Sequence, residues 1–218
     1  MTRVLILGAG GHAQVVADIL LAMRAAGQAV ELVGFLDDAP HRQGARVLGF
    51  PVLGPLAIRE TLPHDAVIIG IGENRTRARV QCELQAAGER LFVARHPRAV
   101  LAPDVPVGSG TVIMAGVVVN TGTVIGAGVI LNTGCTVDHH NRIGDFAHIA
   151  PGAHLAGAVT VGEGALVGVG AAVIPGVRIN PWGVVGAGAV VIGDIPPETT
   201  VVGVPARPLV VRGNPHEP

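Results

Sequence analysis

The chain carries a six-residue repeat that limits what it can fold into. From Leu101 to Val191 an aliphatic residue recurs every six positions without a miss, which gives sixteen consecutive occurrences on one phase. The next position is often glycine, and the fourth position after each aliphatic residue is usually small or β-branched. Because neither a 3.6-residue helix nor a two-residue strand alternation sustains such a period, the repeat predicts a solenoid.

Each hexapeptide is expected to supply one short strand and one corner, so that three of them form a coil of about 18 residues. The aliphatic side chain then points inward and stacks on its equivalent one coil away, at a strand spacing of about 4.8 Å. The small residue also points inward, and glycine permits the turn. The 218 residues include 32 glycines and only four Phe, one Trp and no Tyr, which suits thin stacked layers. The repeat predicts roughly five coils.

The first half of the chain alternates between strand and helix patterns. We expect strands at 4–7, 30–36, 66–71 and 91–94, and helices from residue 12 to Gly27 and over 75–87. This alternation predicts a small parallel sheet of the α/β class, with ligands at the carboxyl ends of its strands. The predicted organisation is a Rossmann-like βαβ domain over 1–96, followed by a parallel β-helix over 97–218 that ends in a C-terminal tail.

Three loops fall at the expected ligand edge of this sheet. They contain Gly10, Gly11 and His12, then Asp37 and Asp38, and then Gly72. Backbone amides of a glycine-rich turn at a helix N-terminus suit a phosphate, and paired acids suit ribose or sugar hydroxyls. The run G-A-G-G-H is not the dinucleotide fingerprint G-x-G-x-x-G. The alternatives are a tight turn that binds nothing and a His12 that only caps the helix.

Polar residues that the repeat does not need gather around 132–154. On the hexapeptide phase His139 and His140 fall at or near an outward corner, and His148 and His154 follow. Solvated surface histidines are the alternative, but several of them within one coil on a Gly/Ala/Val surface favour a site. Acyl transfer needs a base, for which imidazole is suited, and donors for the oxyanion, for which backbone N–H groups are suited. Cys135 occupies an inward position and is expected to pack in the core.

Composition argues against several classes of partner. The net charge is −1 and no Lys/Arg stripe is present, which argues against nucleic acid and anionic membranes. The apolar runs are interrupted by glycine and are shorter than the roughly 20 residues that span a bilayer. No signal peptide is expected, and two cysteines without a CxxC motif fit a reducing, cytoplasmic location.

Seven motifs together resemble one enzyme family. GAGGHA, FLDD, NTGCTVDH, GDFAHIAPGAHLAG, GVGAAVIPG, VGAGAVV and VVGVPARPL are similar to the sugar O-acyltransferase family of sialic acid O-acetyltransferases and nucleotide-amino-sugar N-acetyltransferases, within the hexapeptide-repeat superfamily. The match covers nearly the whole chain. The resemblance implies a left-handed β-helix, acetyl-CoA as co-substrate, no metal, and a homotrimer with active sites between neighbouring β-helices.

The resemblance also implies residue roles. His139, in V-D-H, corresponds to the general base, while His148 lies near the thioester and Gly157 offers a backbone amide to its carbonyl. The backbone at Val169 and Ala187 would line the pantetheine groove. The residues expected to hold the nucleotide sugar are Gly10, Gly11, His12, Asp37, Asp38 and Gly72, with Asn132 contacting the sugar.

One position departs from the family pattern. Many relatives place Asp or Glu directly after the base, where it orients the imidazole, whereas this chain has His140. A neutral imidazole does not stabilise an imidazolium as a carboxylate does. Asp138 or Asp145 is therefore a candidate substitute, and His139, His140 and Asp138 form the predicted catalytic set.

The leading functional prediction is acetyl-CoA-dependent N-acetylation of a UDP- or GDP-linked 4-amino-4,6-dideoxy sugar for bacterial surface glycans. O-acetylation of a sugar such as sialic acid is the alternative within the class. A zinc enzyme like γ-carbonic anhydrase needs two histidine ligands five residues apart, a spacing that the chain lacks. A non-catalytic sugar-nucleotide binder is the third class, since the acid after His139 is missing.

Overall fold

A computed structural model describes residues 1–209. The predicted C-terminal tail therefore lies outside the described residues from position 210 onward. The fold is the predicted one, a small α/β parallel-sheet domain followed by a left-handed parallel β-helix. Within the described part of the chain, no helix has both the length and the apolar character required to span a bilayer.

The N-terminal domain is a five-stranded sheet with a helix on each face. Its strands are β1 (Thr2–Leu7), β2 (Val30–Leu36), β3 (Arg46–Val47), β4 (Phe50–Gly54) and β5 (Ala66–Ile69), in the order β3-β4-β2-β1-β5. The helices are α1 (Gly11–Ala25) and α2 (Asn74–Ala86), and two 3-10 helices span Pro40–Arg42 and Leu56–Thr61. All pairs are parallel except β3–β4, an antiparallel hairpin that the sequence analysis did not predict.

The β-helix has three faces, which we call A, B and C. Face A contains β6 (Ala94–Arg95), β8 (Val112–Ile113), β11 (Ile130–Leu131), β14 (His148–Ile149), β17 (Leu166–Val167), β20 (Val184–Val185), β22 (Thr200–Val202) and β23 (Arg207–Pro208). Face B contains β7 (Val100–Leu101), β9 (Val118–Val119), β12 (Thr136–Val137), β15 (His154–Leu155), β18 (Ala172–Val173) and β21 (Val190–Val191). Face C contains β10 (Val124–Ile125), β13 (Arg142–Ile143), β16 (Thr160–Val161) and β19 (Arg178–Ile179).

The coil has the predicted length and core. Along face A, Val112 pairs with Ile130 and Ile130 with His148, a register of 18 residues for each coil. The second residue of each strand points inward, as the fully buried Ile149 and Val167 show. The small residue four positions later is also buried, as at Ala153 and Ala171.

The role of the glycines differs from the prediction. A Cβ on Gly162, which directly follows an inward aliphatic residue, would lie 2.5 Å from the backbone nitrogen of Pro181 on the next coil. Such glycines therefore allow the coils to approach closely. The left-handed turn residue lies two positions further along, as at Gly134, whose φ is 66°. His140 occupies the equivalent place with a φ of 58°.

The β-helix extends beyond the regular repeat at both ends. Ala94–Arg95 pairs with β8 and keeps the hexapeptide phase, but Arg95 stands where the repeat has an aliphatic residue. Thr200–Val202 pairs with β20 and lies off the phase, since Val201 pairs with Val185 only 16 residues before it. The predicted strand over 91–94 is therefore wrong, because Leu91 only bridges to Val67 and Ala94 already belongs to face A. The domain limit at 96/97 stays a prediction.

Candidate active site

A cavity of about 700 Å³ opens at the carboxyl ends of β1, β2 and β5. The structure brings the six residues predicted for the nucleotide sugar to its lining: Gly10, Gly11, His12, Asp37, Asp38 and Gly72. Arg42, Arg59 and Arg79 also line it, and the sequence analysis did not identify them. The predicted edge of the sheet is thus a concave site of the size that takes a small ligand.

The N-terminus of α1 forms one wall of this cavity. The N-cap residue of α1 is Gly10, and no side chain among the described residues accepts a hydrogen bond from the free amides of the first turn. His12 therefore does not cap the helix, as one alternative supposed. A Cβ on Gly10 would lie 3.4 Å from a guanidinium nitrogen of Arg42, which places this cation over the glycine turn. Uncapped amides, the helix dipole and a guanidinium together favour an anionic group.

The two aspartates have different surroundings. Asp37 is buried, and its carboxylate accepts hydrogen bonds from the backbone N–H of Ala9 at 2.7 Å and of Ala39 at 2.9 Å, and from Arg42 at 3.0 Å. Burial would raise the pKa of Asp37, but these hydrogen bonds outweigh it and hold the pKa below its usual range. Asp37 therefore fixes the glycine turn. Asp38 is exposed at the rim, where it accepts from the N–H of Leu56 at 2.8 Å.

Arg77 of α2 joins the two domains, and the sequence analysis missed it. The side chain is 1% exposed and donates to the carbonyls of Gly128 at 2.8 Å and Phe146 at 2.7 Å on the β-helix. It also donates to the Gly72 carbonyl at 2.9 Å and the Asn74 side chain at 2.8 Å. The guanidinium thus fixes the N-terminal domain against the edge between faces C and A.

Two of the predicted histidines lie close to Arg77 at this junction. Burial, together with the charge of Arg77, lowers the pKa of His12 to about 4. Burial, with Arg77 and His12 nearby, lowers the pKa of His148 to about 3. Both imidazoles are therefore neutral at pH 7, so His12 adds no positive charge to the nucleotide cavity. The Nε2 of His12 is buried and has no hydrogen-bond partner within residues 1–209.

His148 also lines a second cavity, of about 360 Å³, between the domains. Its Nε2 lies 3.0 Å from the side-chain amide of Asn132, so the predicted sugar contact and the predicted thioester contact are neighbours. Arg75 closes one side of this cavity by stacking 4.4 Å above the Trp182 ring. With a pKa of about 3, His148 is too weak a base to hold a proton at neutral pH, but its neutral ring can donate or accept a hydrogen bond here.

The two neutral histidines give the fold a dependence on pH. An unfolded histidine has a pKa near 6.5, so the unfolded state binds more protons between pH 6.5 and 4.5. We expect the unfolding free energy to fall over this range by about 2 kcal/mol for each histidine. Urea unfolding at pH 6.5 and 4.5, at one protein concentration, measures the loss. The loss of unfolding free energy should be smaller in His12→Asn. An equal loss in that variant would contradict the lowered pKa of His12.

His139 and His140 are exposed at the edge between faces B and C. Their Nδ1 atoms lie 3.0 Å apart, and the rings meet edge to face. The His139 ring lies over Gly157 on the next coil, where a Cβ would be 2.6 Å from its Nε2. The N–H of Gly157 makes no hydrogen bond within the described residues. A proton acceptor and a backbone donor therefore stand together at this edge.

Neither candidate carboxylate contacts the His139 ring. Asp138 accepts from the Asn120 side chain and from the His139 backbone N–H, each at 2.8 Å, and these hydrogen bonds lower its pKa. Asp145 accepts from the N–H of Ala127 at 2.8 Å, on the edge between faces C and A. The structure thus separates Asp138 and Asp145 from the ring, and the ring partner is His140.

The remaining predicted positions lie elsewhere on the coil. Val169 and Ala187 are exposed and stack on the edge between faces A and B, with backbone N–H groups that make no hydrogen bond within residues 1–209. Cys135 is buried as expected, and burial raises the pKa of its thiol to about 12. In that range, no three His, Cys, Asp or Glu side chains are grouped so that they could hold a metal ion.

Within one protomer the predicted catalytic residues and the predicted substrate-binding residues lie at separate places. His139 and Gly157 lie on the edge between faces B and C, whereas His148 and the second cavity lie at face A, and the first cavity lies within the N-terminal domain. Face B separates the His139 edge from the edge that carries Val169 and Ala187.

Comparison with known proteins now identifies the family. Residues 3–84 match the PglD N-terminal domain family. The acetyltransferase domain of PglB from Neisseria gonorrhoeae is 39% identical with a TM-score of 0.88, and the match covers 96% of this chain and 100% of that one. The chain belongs to the nucleotide-amino-sugar N-acetyltransferases of the hexapeptide-repeat superfamily.

Two further relatives agree with this assignment. PerB from Caulobacter crescentus, solved with CoA and GDP-perosamine, is 41% identical with a TM-score of 0.86, over 96% of this chain and 98% of that one. The UDP-N-acetylbacillosamine N-acetyltransferase of Bacillus subtilis is 37% identical over 117 residues, which are 53% of this chain. That match spans only about half of the Bacillus protein, 52% of its length.

Proposed function

We propose that the protein transfers an acetyl group from acetyl-CoA to the amino group of a nucleotide-linked 4-amino-4,6-dideoxy sugar. The observation that carries this proposal is the pairing of the His139 ring with the unbonded N–H of Gly157 on the neighbouring coil. The bound CoA and GDP-perosamine of PerB support the substrate classes. The Bacillus subtilis relative is named an N-acetyltransferase, which favours an amine over the hydroxyl of the alternative O-acetylation.

The chemistry is a direct transfer without an acyl-enzyme. The sugar amine attacks the thioester carbonyl carbon, and His139 Nε2 accepts a proton from the attacking nitrogen. The N–H of Gly157 donates to the developing oxyanion. The C–S bond then breaks as the carbonyl re-forms, and the CoA thiolate leaves and takes up a proton. Cys135 is buried with a raised pKa and is unsuited to act as a nucleophile.

The nucleotide portion of the substrate is assigned to the 700 Å³ cavity. Its diphosphate would face the first turn of α1 and Arg42, and Asp38 at the rim is placed for a hydroxyl. The sugar would then extend past Gly72 toward the cavity that His148 and Asn132 border.

A homotrimer would complete this site. The first residue of each face B strand points outward, and most of these residues are apolar or small: Val100, Val118, Thr136, His154, Ala172 and Val190. Val100 is 63% exposed. If face B turns toward a three-fold axis, the His139 edge of one protomer meets the Val169 edge and face A of the next. This arrangement would place the base beside the substrate cavities of the neighbouring subunit. A cytoplasmic location stays a prediction.

The test is acetyl transfer, followed by CoA release and product mass. The acceptors are GDP-perosamine, UDP-linked 4-amino-4,6-dideoxy sugars and free sialic acid, each with acetyl-CoA. We expect an N-acetylated product from at least one nucleotide-linked amino sugar and none from sialic acid. Turnover of sialic acid alone, or of none of the acceptors, would overturn the proposal.

A further inference from the structure

Asp104 lies two coils before His140 on the same edge, and hydrogen bonds to the intervening coil hold its carboxylate in place. Its Oδ2 accepts from the N–H of Gly122 at 2.7 Å and from the Thr121 hydroxyl at 2.8 Å. These two hydrogen bonds hold the pKa of Asp104 below its usual range. The carboxylate is therefore ionised at neutral pH.

The His140 ring packs against the same glycine. A Cβ on Gly122 would lie 2.8 Å from the Cδ2 and 3.0 Å from the Nε2 of His140. The left-handed backbone at His140, with a φ of 58°, turns the ring toward this coil while Nδ1 faces His139. The carboxylate of Asp104 and the Nε2 edge of His140 thus face Gly122 from its two neighbouring coils, with no direct hydrogen bond between them within residues 1–209.

The contact between the two Nδ1 atoms has a chemical consequence. One nitrogen must donate and the other must accept, because two lone pairs or two N–H groups would repel at 3.0 Å. If His140 donates, neutral His139 carries its proton on Nε2 and has no free lone pair there. If His139 donates, its Nε2 is free to accept a proton. Only the second arrangement gives a base.

We propose that Asp104 and His140 are positioning residues that set His139 in its basic tautomer. This inference rests on the proposed function of His139 as the base. The Asp104 carboxylate favours the proton of His140 on Nε2, which leaves His140 Nδ1 as the acceptor for His139 Nδ1–H. When His139 Nε2 then gains a proton, the positive charge is shared with His140 and faces Asp104. Asp138 also faces the pair, through the backbone N–H of His139.

The first test is a double-mutant cycle of Asp104→Asn with His140→Asp. Asparagine still accepts from Gly122 and Thr121, so the variant removes charge while keeping the contact. We expect Asp104→Asn to lower kcat about 10-fold with little change in KM for either substrate. The acid limb of the kcat/KM profile should move to lower pH, because the protonated pair loses a neighbouring negative charge. In the His140→Asp background the same change should have little effect.

Asp194→Asn is the matched control. Like Asp104, Asp194 accepts a hydrogen bond from a backbone N–H of the β-helix, in this case that of Arg178 at 2.8 Å. The control variant should leave kcat and the pH profile unchanged. If Asp104→Asn behaves like Asp194→Asn, or if its effect is equal in both His140 backgrounds, the inference is wrong.

The second test does not depend on the substrate. Nitrogen-15 spectra of the imidazoles should show His139 protonated on Nδ1 in the parent protein at pH 8, and a mixed tautomer in Asp104→Asn. An Nε2–H tautomer of His139 in the parent protein would show that Asp104 and His140 do not set the basic tautomer, even if the enzyme is active. The expected tautomer without turnover of any amino sugar would instead count against the proposed function alone.

Discussion

Replacing His139 by alanine is expected to lower kcat/KM for the sugar nucleotide by a factor of about 10² to 10⁴, the contribution of a positioned general acid–base group. The loss should appear mainly in kcat, because the ring acts on the proton of the attacking nitrogen and leaves the nucleotide cavity untouched. His139 is exposed, so its truncation should not unfold the chain. Steady-state kinetics with acetyl-CoA and GDP-perosamine, together with light scattering for the assembly mass, measure both expectations.

His41→Ala is a control for this variant, because His41 is an exposed histidine that does not line the nucleotide cavity. It should keep kcat within about two-fold of the parent value. Turnover of His139→Ala close to that of His41→Ala would remove His139 as the base. A His139→Ala protein that loses its assembly would show that the edge has a structural role instead.

The β-helix was predictable because its information is local and repeated. Each hexapeptide specifies an inward aliphatic residue, such as Ile149 or Val167, and the register of 18 residues follows from three of them. The prediction ended where the aliphatic pattern ended. At Ala94–Arg95 the phase continues without an aliphatic residue, and at Thr200–Val202 the phase itself is lost, although both segments pair with the neighbouring coil.

The lining of the nucleotide cavity was also predictable, since parallel strands bring their carboxyl ends to one edge. The charge states of the histidines at the junction of the two domains were not predictable. His12 and His148 are neutral because burial and Arg77 lower their pKa values, and these surroundings come from segments far apart in the chain. The ring partner of His139 was equally hidden, because it depends on the left-handed backbone at His140.

Arg77 is the clearest case of information that the sequence analysis could not supply. Its partners Gly128 and Phe146 lie 51 and 69 residues further along the chain, and both are contacted through backbone carbonyls. A carbonyl is present at every residue, so no motif marks it. Within α2, Arg77 has the same side chain as the neighbouring Arg75 and Arg79, and only the packing of the two domains separates their roles.

Replacing Arg77 by methionine is expected to lower the unfolding free energy by about 3 to 5 kcal/mol. Methionine has a similar length but donates no hydrogen bond, so the carbonyls of Gly72, Gly128 and Phe146 would lose a charged donor in a buried setting. Burial lowers the pKa of Arg77 to about 10, which leaves it charged at pH 7. Urea unfolding at pH 7 gives the free energy, and KM for the sugar nucleotide should rise because Gly72 borders both cavities.

Arg79→Met is the matched control for stability, since it makes the same substitution on the same helix. Arg79 is largely exposed and pairs with Glu83 at 2.8 Å, an interaction worth about 0.3–0.5 kcal/mol. Arg77→Lys should recover part of the loss, because an ammonium keeps the charge but does not reach all of the carbonyls that the guanidinium contacts. Equal unfolding free energies for Arg77→Met and Arg79→Met would show that the junction does not depend on this side chain, and the two domains would then be held together by apolar packing between α1 and the first strand of face A.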